Sequence, residues 1–456
     1  MTNRRDFLKT SAYAMGGIAI GGGLSMVGLP TAEAARKTKG ANDKIRVGVV
    51  GFSNRFKYSL LPAFQASAAE LGFEIVAVSD IWSVRREEAV AHFKEKYNQQ
   101  VKTFRNNEEL YDSRMCDAVI ISTADFQHAR HLVEALSAGC DAYVEKPFAE
   151  TMEDARLALD IAGKHDKVIQ IGSQRRSAPN YHAACEYLRS GKFGPITMVE
   201  MTWNVNQPGR WRLPDLTKKC FEKDTDWKRF LLNRPYEPWD PRKYLEYRLF
   251  WPYSSGIPGQ WMSHQIDTVH WFTGLDHPRS VAANGGIYCW KDGRRNYDTL
   301  TAVFDYGDDK QGFQVLYSSR MHNEAGGVKE LYFSNGGTLN LDTNEVSSDG
   351  GMQQWAADEM GMQANLLETY KLPSIEVATS ANMGDDPMTY LHMRNWMECV
   401  KARNVKTNAP VEAGYNHSIA TIMCNAAVRT GYKVTFDESK QEVMAGGKPF
   451  EPFANI

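Results

Sequence analysis

The pattern of residues 44–174 constrains the fold of this chain most. Short apolar segments typical of strands alternate there with segments typical of helices. The connections between them are short, which predicts βαβ units around a parallel sheet. Such a doubly wound sheet binds ligands at the carboxyl ends of its strands. We expect strands at 44–50, 73–80, 116–123, 141–147 and 167–174, and helices at 60–70, 85–97, 128–138 and 152–165.

The first predicted strand ends in the sequence GFSNRF, residues 51–56. Dinucleotide-binding turns usually read G-x-G-x-x-G here, and Ser53 and Phe56 replace the second and third glycines. Serine is small enough for a pyrophosphate to approach the backbone, whereas phenylalanine cannot pack where the third glycine packs. We therefore expect a reshaped turn with Asn54 and Arg55 close to the phosphates. The alternative is a buried strand that merely ends in glycine.

Asp80 ends the second predicted strand, where dinucleotide-binding proteins place the acid that binds the ribose hydroxyls. It lies further from Gly51 than the usual spacing of about 20 residues, and an aspartate at this place is also a common helix cap. A carboxylate here repels a 2′-phosphate, so NAD is favoured as the cofactor. Arg85 and Arg86 nearby leave NADP open.

Residues 1–34 have the pattern of an export signal rather than of a folded segment. The twin arginines of NRRDFLK precede a weakly apolar, glycine-rich segment, and Ala32, Glu33 and Ala34 form a small-x-small cleavage site. A transmembrane anchor is the alternative, but glycine dilutes the apolar run. We expect twin-arginine export to the periplasm or another exported location, with the signal removed and no stable membrane insertion afterwards.

Length and composition set further limits on the chain. Its 456 residues, 43% of them hydrophobic, are too many for one ordinary domain, and we place two domains at 41–165 and 166–456. The formal net charge of −2 gives no general attraction to nucleic acids or acidic membranes. Seven scattered cysteines without C-x-x-C spacing indicate neither a metal site nor a disulfide framework, and we expect most to be buried thiols.

Five stretches of the chain resemble the landmarks of one family. They are IISTADFQHARHLVEALSAGCDAYVEKPFA, IGSQRRS, DWKRFLLNRPY, RLFWPYSSGIPGQWMSHQIDTVHWFTG and VKARNVKTNAPVEAGYNHSIA. Together they are similar to the Gfo/Idh/MocA family, named for glucose-fructose oxidoreductase, inositol dehydrogenase and a rhizopine-catabolism protein. The resemblance covers nearly the whole chain after the predicted signal.

The resemblance implies an α/β protein with an N-terminal Rossmann domain and a C-terminal domain built on a large open, mainly antiparallel sheet. Segments 196–203, 300–307, 312–319, 329–335 and 337–342 have strand patterns that suit this sheet. The family implies nicotinamide-dependent redox chemistry on a sugar or a cyclitol. It also implies self-association through the sheet, as a dimer or a tetramer.

Two catalytic positions carry over from the family. Lys146 of the E-K-P motif is implied to lie near the nicotinamide and to polarise the reacting hydroxyl, with Glu145 beside it; a solvated lysine is the alternative. His264 is implied to be the catalytic base, although a lone histidine on such a face is commonly a core residue. The family pattern is D-x-x-x-H, and Gln260 replaces the aspartate here. An amide can position a substrate or an imidazole but cannot titrate.

The resemblance also implies contacts to cofactor and substrate. Helical spacing places residues 260, 264, 267 and 271 on one face, so Asp267 is a candidate to replace the missing carboxylate. Substrate contacts are expected from Arg175, Tyr253 and Asp267, with Arg248 and His270 as further candidates. Cofactor contacts are expected from Gly51, Ser53, Asn54, Arg55, Asp80, Thr123, His128, Glu145, Lys146 and Gln174.

The sequence thus predicts an exported NAD(P)-dependent oxidoreductase that transfers hydride between a sugar ring carbon and tightly bound nicotinamide. Two alternatives stay open. One is a redox-neutral, NAD-dependent glycosidase of the same fold, although the Glu-Cys-Trp segment expected of its best-known branch is absent. The other is a non-catalytic sugar-binding protein, which the altered glycine turn and Gln260 favour.

Overall fold

The computed structural model describes residues 44–373 and 386–454. The predicted signal at 1–34 lies outside these residues. No helix in the described ranges is long and apolar enough to cross a membrane.

The N-terminal sheet has six parallel strands within the described ranges, in the order β3-β2-β1-β4-β5-β6. The strand order reverses between β1 and β4, which creates a crevice at the carboxyl ends of these two strands. The strands are β1 (Ile45–Val50), β2 (Phe73–Ser79), β3 (Lys102–Phe104), β4 (Ala118–Ile121), β5 (Asp141–Val144) and β6 (Ile169–Ile171). The helices between them are α1 (Leu61–Leu71), α2 (Ser83–Tyr97), α3 (Asn107–Asp112), α4 (His128–Ser137) and α5 (Met152–Ala162).

All the strands and helices predicted for residues 44–174 are present, with ends that differ by a few residues. The sequence pattern missed β3 and α3, because elements of three and six residues are too short to show a periodicity. The sixth strand, β6, begins at Ile169 and therefore extends the parallel sheet beyond residue 165. The domain boundary at 165 stays a prediction.

The C-terminal sheet has eleven strands within the described residues, in the order β14-β13-β12-β11-β7-β10-β9-β8-β15-β16-β17. Its strands are β7 (Met198–Asn204), β8 (Ser280–Gly286), β9 (Thr299–Tyr306), β10 (Phe313–Arg320), β11 (Val328–Ser334), β12 (Gly337–Asn340), β13 (Glu345–Ser347), β14 (Tyr370–Lys371), β15 (Val434–Asp437), β16 (Glu442–Ala445) and β17 (Lys448–Pro449). The helices of this part are α6 (Pro179–Arg189), α7 (Pro214–Thr217), α8 (Trp227–Leu231), α9 (Pro241–Leu245), α10 (Ser263–Thr273), α11 (Gln354–Glu359), α12 (Pro387–Ala402) and α13 (Val411–Thr430).

The large sheet is mainly antiparallel, with a parallel pair at β7 and β10. Alternate residues of β9 and β10 are buried, because one face of the sheet packs on the core and the other does not. The α/β class, with a Rossmann-type sheet and a second, mainly antiparallel sheet, is confirmed.

Helix α13 is buried along most of its length and contacts both sheets. Gly414 on this helix has no room for a side chain, since a Cβ would lie 2.8 Å from Cγ of Phe148. One turn further, His417 Nε2 accepts a hydrogen bond from the Phe148 amide at 3.3 Å, and Ser418 Oγ accepts one from the Ala149 amide at 3.1 Å. The helix therefore anchors the loop that follows β5.

All seven cysteines lie in the described part of the chain, and none of them forms a disulfide there. Six of them are buried, and Cys289 is exposed. This agrees with the prediction that most cysteines are buried thiols.

A buried ion pair joins α5 to the segment between α8 and α9. Arg234 Nη1 lies 3.0 Å from Asp154 Oδ2, and neither side chain has exposed surface. The Asp154 carboxylate also accepts a hydrogen bond from Thr151 Oγ1 at 2.8 Å, and Arg234 Nε donates one to the Pro252 carbonyl at 3.2 Å. Removing one partner from such a pair leaves the other charge buried without compensation.

We expect Asp154→Asn to lower the free energy of unfolding by about 3–5 kcal/mol, because Arg234 would remain buried opposite a neutral amide. A urea titration followed by circular dichroism measures this change. The matched control is Asp305→Asn, which removes a carboxylate from the half-exposed Arg279–Asp305 pair. The control should cost less than about 1 kcal/mol. Equal losses in the two variants would contradict the expected role of the buried pair.

Candidate active site

A cleft of about 660 Å³ opens at the carboxyl end of the parallel sheet, and its size is typical of a ligand site. One wall comes from the residues that follow β1, β2, β4 and β5, and the other comes from β7, β11 and the segment around the start of α10. This is the place that the doubly wound fold predicts for a ligand. The predicted cofactor and catalytic residues all line it: Gly51, Ser53, Asn54, Arg55, Asp80, Thr123, His128, Glu145, Lys146, Gln174, Gln260 and His264.

The turn after β1 requires glycine at position 51. Gly51 has a φ of +89°, and a Cβ there would lie 2.8 Å from Cγ2 of Thr123 and 3.0 Å from the Ser122 carbonyl oxygen. The Ser122 hydroxyl donates to the Gly51 carbonyl at 2.9 Å. Backbone without a side chain therefore faces the cleft here, which leaves room for a close ligand.

Phe56 shows how the fold accommodates the loss of the third glycine. Its ring has no exposed surface and packs 5.8 Å from the ring of Phe52, inside the core rather than toward the cleft. A π-helical turn, Phe56–Leu60, precedes α1 and gives the chain an extra residue at this bend. Ser53 Oγ accepts a hydrogen bond from the Phe56 amide at 3.1 Å. The turn is reshaped, as the sequence predicts.

Arg55 has a carboxylate partner that the sequence did not predict. Its Nε donates to Glu145 Oε1 at 2.9 Å, and Nη1 donates to Ser59 Oγ at 2.7 Å. The amide of Gln174 lies between the Arg55 guanidinium and the Gly172 carbonyl. Arg55 therefore balances the charge of Glu145 at the base of the cleft.

Asp80 lies at the end of β2 and faces the cleft. Its Oδ2 accepts a hydrogen bond from the Phe52 amide at 2.9 Å, and Oδ1 accepts one from the Trp82 amide at 2.9 Å. Burial raises the pKa of Asp80, although these two amides oppose the rise. Asn54 Oδ1 accepts a hydrogen bond from Arg85 at 3.1 Å, so the turn after β1 is tied to the start of α2.

The loop after β4 contributes Thr123 and His128. The Thr123 hydroxyl is buried and has no hydrogen-bond partner among the described residues. His128 Nδ1 lies 2.8 Å from the Pro147 carbonyl oxygen, and burial lowers the pKa of this histidine. An unpaired buried hydroxyl beside the open Gly51 backbone fits a polar ligand at this point. The cleft residues therefore fit a bound dinucleotide.

Lys146 follows β5, and its ammonium group is drawn toward the second wall of the cleft. Nζ donates a hydrogen bond of 2.6 Å to the main-chain oxygen of Gln260. Burial lowers the pKa of Lys146 to about 7, although the carboxylates of Glu145 and Asp125 oppose this change. A lysine with this pKa exchanges a proton readily near neutral pH.

His264 lies on α10 and stacks on Trp203, with ring centroids 5.8 Å apart and planes 22° apart. Burial, together with the positive charges of Lys146 and Arg175, lowers the pKa of His264 well below its usual value. The imidazole is therefore neutral at physiological pH and can accept a proton.

Gln260 faces a carboxylate that the sequence analysis missed. Its Nε2 donates a hydrogen bond of 2.6 Å to Oδ2 of Asp125, which is fully buried and also accepts from Ser254 Oγ at 2.6 Å. A carboxylate at position 260 would meet Asp125 directly and repel it. The amide is therefore matched to its partner. The missed signal was the position of Asp125 two residues after Thr123, at the end of a predicted strand.

Two of the predicted substrate contacts need correction. Tyr253 is fully buried among aromatic rings, 5.6 Å from Phe126, and its hydroxyl reaches Glu237 at 3.4 Å. Asp267 is buried in a bidentate pair with Arg176, at 2.8 and 3.0 Å. Neither lines the cleft, and the same holds for the further candidate His270. Asp267 therefore does not replace the missing carboxylate.

Arg175 does line the cleft, where it pairs with Glu330 of β11 and lies over the Trp203 ring. Arg248 and the unpredicted Arg210 line it as well. The described residues contain no group of three or more histidine, cysteine, aspartate or glutamate side chains that could hold a metal ion.

Comparison with known proteins also indicates a dinucleotide-binding fold for the N-terminal part. Residues 45–173 match the family described as "Oxidoreductase family, NAD-binding Rossmann fold" (GFO_IDH_MocA). An inositol 2-dehydrogenase of Salmonella typhimurium is 29% identical over 168 residues, which are 36% of this chain and 49% of the relative. A glycosyl hydrolase family 109 protein of Shewanella baltica is 26% identical over 238 residues, 49% of this chain and 50% of the relative. The chain thus spans about half the length of the curated relatives it matches.

A solved structure extends the likeness to the whole fold. The WlbA dehydrogenase from Bordetella pertussis, in complex with NADH and UDP-GlcNAcA, superposes with a TM-score of 0.60. The match covers 86% of this chain and 99% of that one at 16% identity, so it establishes the fold alone. By sequence, residues 45–173 match the NAD-binding Rossmann part of the Gfo/Idh/MocA oxidoreductase family.

Proposed function

We propose that the chain is an exported dehydrogenase that uses NAD to oxidise or reduce a sugar or a cyclitol. The observation that carries this proposal is the convergence of the Gly51 turn, Lys146 and His264 on one cleft. A dinucleotide site, a lysine with a pKa of about 7 and a neutral imidazole able to accept a proton are the groups that such a reaction needs.

The residues of the first wall would hold the cofactor. Backbone around Gly51 and the hydroxyls of Ser53 and Thr123 suit the pyrophosphate, and Asp80 suits the ribose hydroxyls. Bound NAD would supply the hydride acceptor for the carbinol carbon of the substrate. We favour NAD over NADP, because Asp80 would repel a 2′-phosphate and Arg85 already pairs with Glu88 at 2.5 Å.

The hydroxyl proton of the substrate would go to the pair formed by Lys146 and His264. Burial and, after it, the positive charge of protonated Lys146 lower the pKa of His264, so the two groups do not both hold a proton at neutral pH. Oxidation of the alcohol to a ketone therefore needs the pair without a proton, and reduction of the ketone needs it with one. The apparent pKa of the reaction belongs to the pair rather than to either residue.

Asp125 would act as a positioning residue for this pair. It fixes the side chain of Gln260, and the main-chain oxygen of Gln260 accepts the hydrogen bond from Lys146. Its negative charge also raises the pKa of Lys146. We infer that Asp125 supplies the carboxylate that the family pattern places at position 260.

Export sets a condition on the cofactor. Outside the cytoplasm there is no sizeable pool of NAD, so an exported enzyme has to bind its nicotinamide before translocation and keep it. Twin-arginine export, which moves folded proteins, suits this requirement. The bound cofactor then has to be regenerated in place, by a second substrate or by the same oxidised sugar.

A second candidate is a redox-neutral glycosidase, which the likeness to the glycosyl hydrolase family 109 protein over 238 residues favours. In that reaction the sugar would be oxidised to a ketone and would lose its aglycone by elimination. Water would then add to the unsaturated ketone, and the ketone would be reduced again with the hydride first removed, so that no net oxidant is needed. Release of nitrophenol from a nitrophenyl glycoside without added nicotinamide would support it. Oxidation of free sugars without such release would support the dehydrogenase. In either case we propose a homo-oligomer, a dimer or a tetramer, formed through the large sheet.

We expect kcat/KM for sugar oxidation to rise with pH through an apparent pKa of about 7, because the pair has to lose its proton first. Asp125→Asn should move this pKa downward, since the carboxylate raises the pKa of Lys146. Asp342→Asn, the same change at an exposed residue of the cleft, is the control and should leave the midpoint in place. A profile in Asp125→Asn identical to wild type would contradict the positioning role.

We expect His264→Ala to reduce kcat by a factor of about 10²–10⁴, the range typical of a general acid–base group. The control is His182→Ala, which removes an imidazole that packs on Trp271 outside the cleft. Steady-state kinetics with one sugar and equal protein folding by circular dichroism make the comparison. Wild-type turnover in the His264 variant would show that this imidazole takes no part in the reaction.

We expect protein purified from a host with twin-arginine export to carry NAD(H), detected by mass spectrometry after denaturation. Gly51→Ala should lose most of it, because a Cβ would collide with Thr123 and the left-handed φ is unfavourable. Gly163→Ala, at a site with only ordinary contacts, should retain it. Absence of nicotinamide in wild type, together with no calorimetric binding of NAD or NADP, would instead support a sugar-binding protein.

A further inference from the structure

The arginines that line the cleft fall into two groups. Most of them have a carboxylate partner within the protein, so their charge is already balanced. The balanced pairs are Arg55–Glu145, Arg85–Glu88, Arg175–Glu330, Arg212–Glu246 and Arg229–Glu134. Arg210 and Arg248 differ from these, and both lie on the cleft.

Arg210 has no ion pair with any described residue. Its Nη1 donates to the neutral Gln207 side chain at 2.8 Å, and its Nε is buried without a hydrogen-bond partner in the described ranges. Burial, together with the positive charge of Arg248, lowers the pKa of Arg210 to about 10. No carboxylate compensates for the proximity of these two cations at Arg210.

Arg248 is only weakly compensated. Its Nε lies 3.7 Å from Asp125 Oδ1, too far for a hydrogen bond, and it has no partner of that kind among the described residues. The short hydrogen bonds of Asp125 go instead to Gln260 and Ser254. The guanidinium lies over the ring of Tyr247, at 4.7 Å from its centroid.

A row of stacked rings extends from His264, the proposed base, to Arg210. His264 stacks on Trp203, and Trp203 lies parallel to Trp261, with ring centroids 6.0 Å apart. At the other end of this row the Arg210 guanidinium lies over Trp261, 5.9 Å from the ring centroid. His264 and Arg210 both line the cleft and lie at the two ends of this row, so a sugar with its reacting hydroxyl at His264 can present a second group to Arg210. The cofactor turn at Gly51 lies on the opposite wall.

We infer that the cleft binds a sugar carrying an anionic group, a carboxylate or a phosphate monoester, and that Arg210 and Arg248 together bind that group. Neither guanidinium has a carboxylate within hydrogen-bond distance among the described residues, and Asp125, at 3.7 Å, compensates only Arg248. An anion between the two would offset their repulsion with charge-assisted hydrogen bonds. This inference rests on the proposed function, since it names the substrate class of the same cleft.

Isothermal titration calorimetry on NAD-loaded protein tests the inference. The ligands are D-glucuronate, D-galacturonate and D-glucose 6-phosphate, each compared with neutral D-glucose or D-galactose. We expect at least one anionic sugar to bind about tenfold or more tightly than its neutral counterpart, because hydrogen bonds to charged groups contribute more than neutral ones. The carboxylate and phosphate arms show which anion the pair selects.

Variants of Arg210 make the test specific. Arg210→Gln should weaken binding of the anionic sugar by about tenfold or more and leave NAD and the neutral sugar unaffected. Arg210→Lys should restore part of the affinity, because it keeps the charge without the bidentate fork. The matched control is Arg279→Gln, which removes the same charge from a half-exposed residue outside the cleft. It should bind all ligands as wild type does.

Several results would overturn the inference. They are equal affinity for anionic and neutral sugars, equal weakening of both by Arg210→Gln, or no binding of any anionic sugar. A loss of NAD affinity in Arg210→Gln would assign the arginine to the cofactor instead. Failure of the proposed function is separate: oxidation of neutral sugars alone supports the dehydrogenase without the anion site. Binding of an anionic sugar by protein that never binds nicotinamide supports the anion site without the dehydrogenase.

Discussion

The anchoring of the loop after β5 on helix α13 is the constraint on which the site depends. The amides of Phe148 and Ala149 donate to His417 and Ser418 of that helix, and Gly414 leaves no gap against the Phe148 ring. Because α13 also packs on the large sheet, the loop cannot move without disturbing the core. Lys146 is thereby held at a fixed place relative to Gln260 and α10, which belong to the other wall of the cleft.

Charge compensation explains the contacts of the polar side chains around Lys146, including the amide at position 260. Glu145 beside Lys146 is balanced by Arg55, and Asp125 is matched by the amide of Gln260 rather than by a second acid. The charge or hydrogen-bonding capacity of each of these side chains is satisfied by its partner from a distant segment. The amide at position 260 therefore has its carboxylate partner in Asp125, in the segment that follows β4.

Local sequence predicted the N-terminal fold well, because period-two and helical patterns report burial directly. The motifs also identified Gly51, Asp80, Lys146 and His264, which all line one cleft. Each of these residues follows a strand or lies on a helix that the local pattern predicts. Contacts between distant segments were not predictable. Helical spacing put Asp267 on the face of His264, but the π-helical turn Pro258–Met262 changes the helical phase, and only the fold shows that Arg176 takes the carboxylate. No local sequence pattern identified Arg210, because this residue is distinguished only by having no carboxylate partner among the described residues.

The absence of disulfides from the described residues bears on the compartment in which the chain can fold. None of the seven cysteines forms a disulfide in the described residues, so the native state does not depend on the oxidation of thiols. Proteins that rely on disulfides complete their structure only in an oxidising compartment. This one can reach its final conformation in the reducing cytosol, the same place where dinucleotides are abundant. Folding and cofactor binding can thus take place in the same compartment, with no disulfide among the described residues to be formed later.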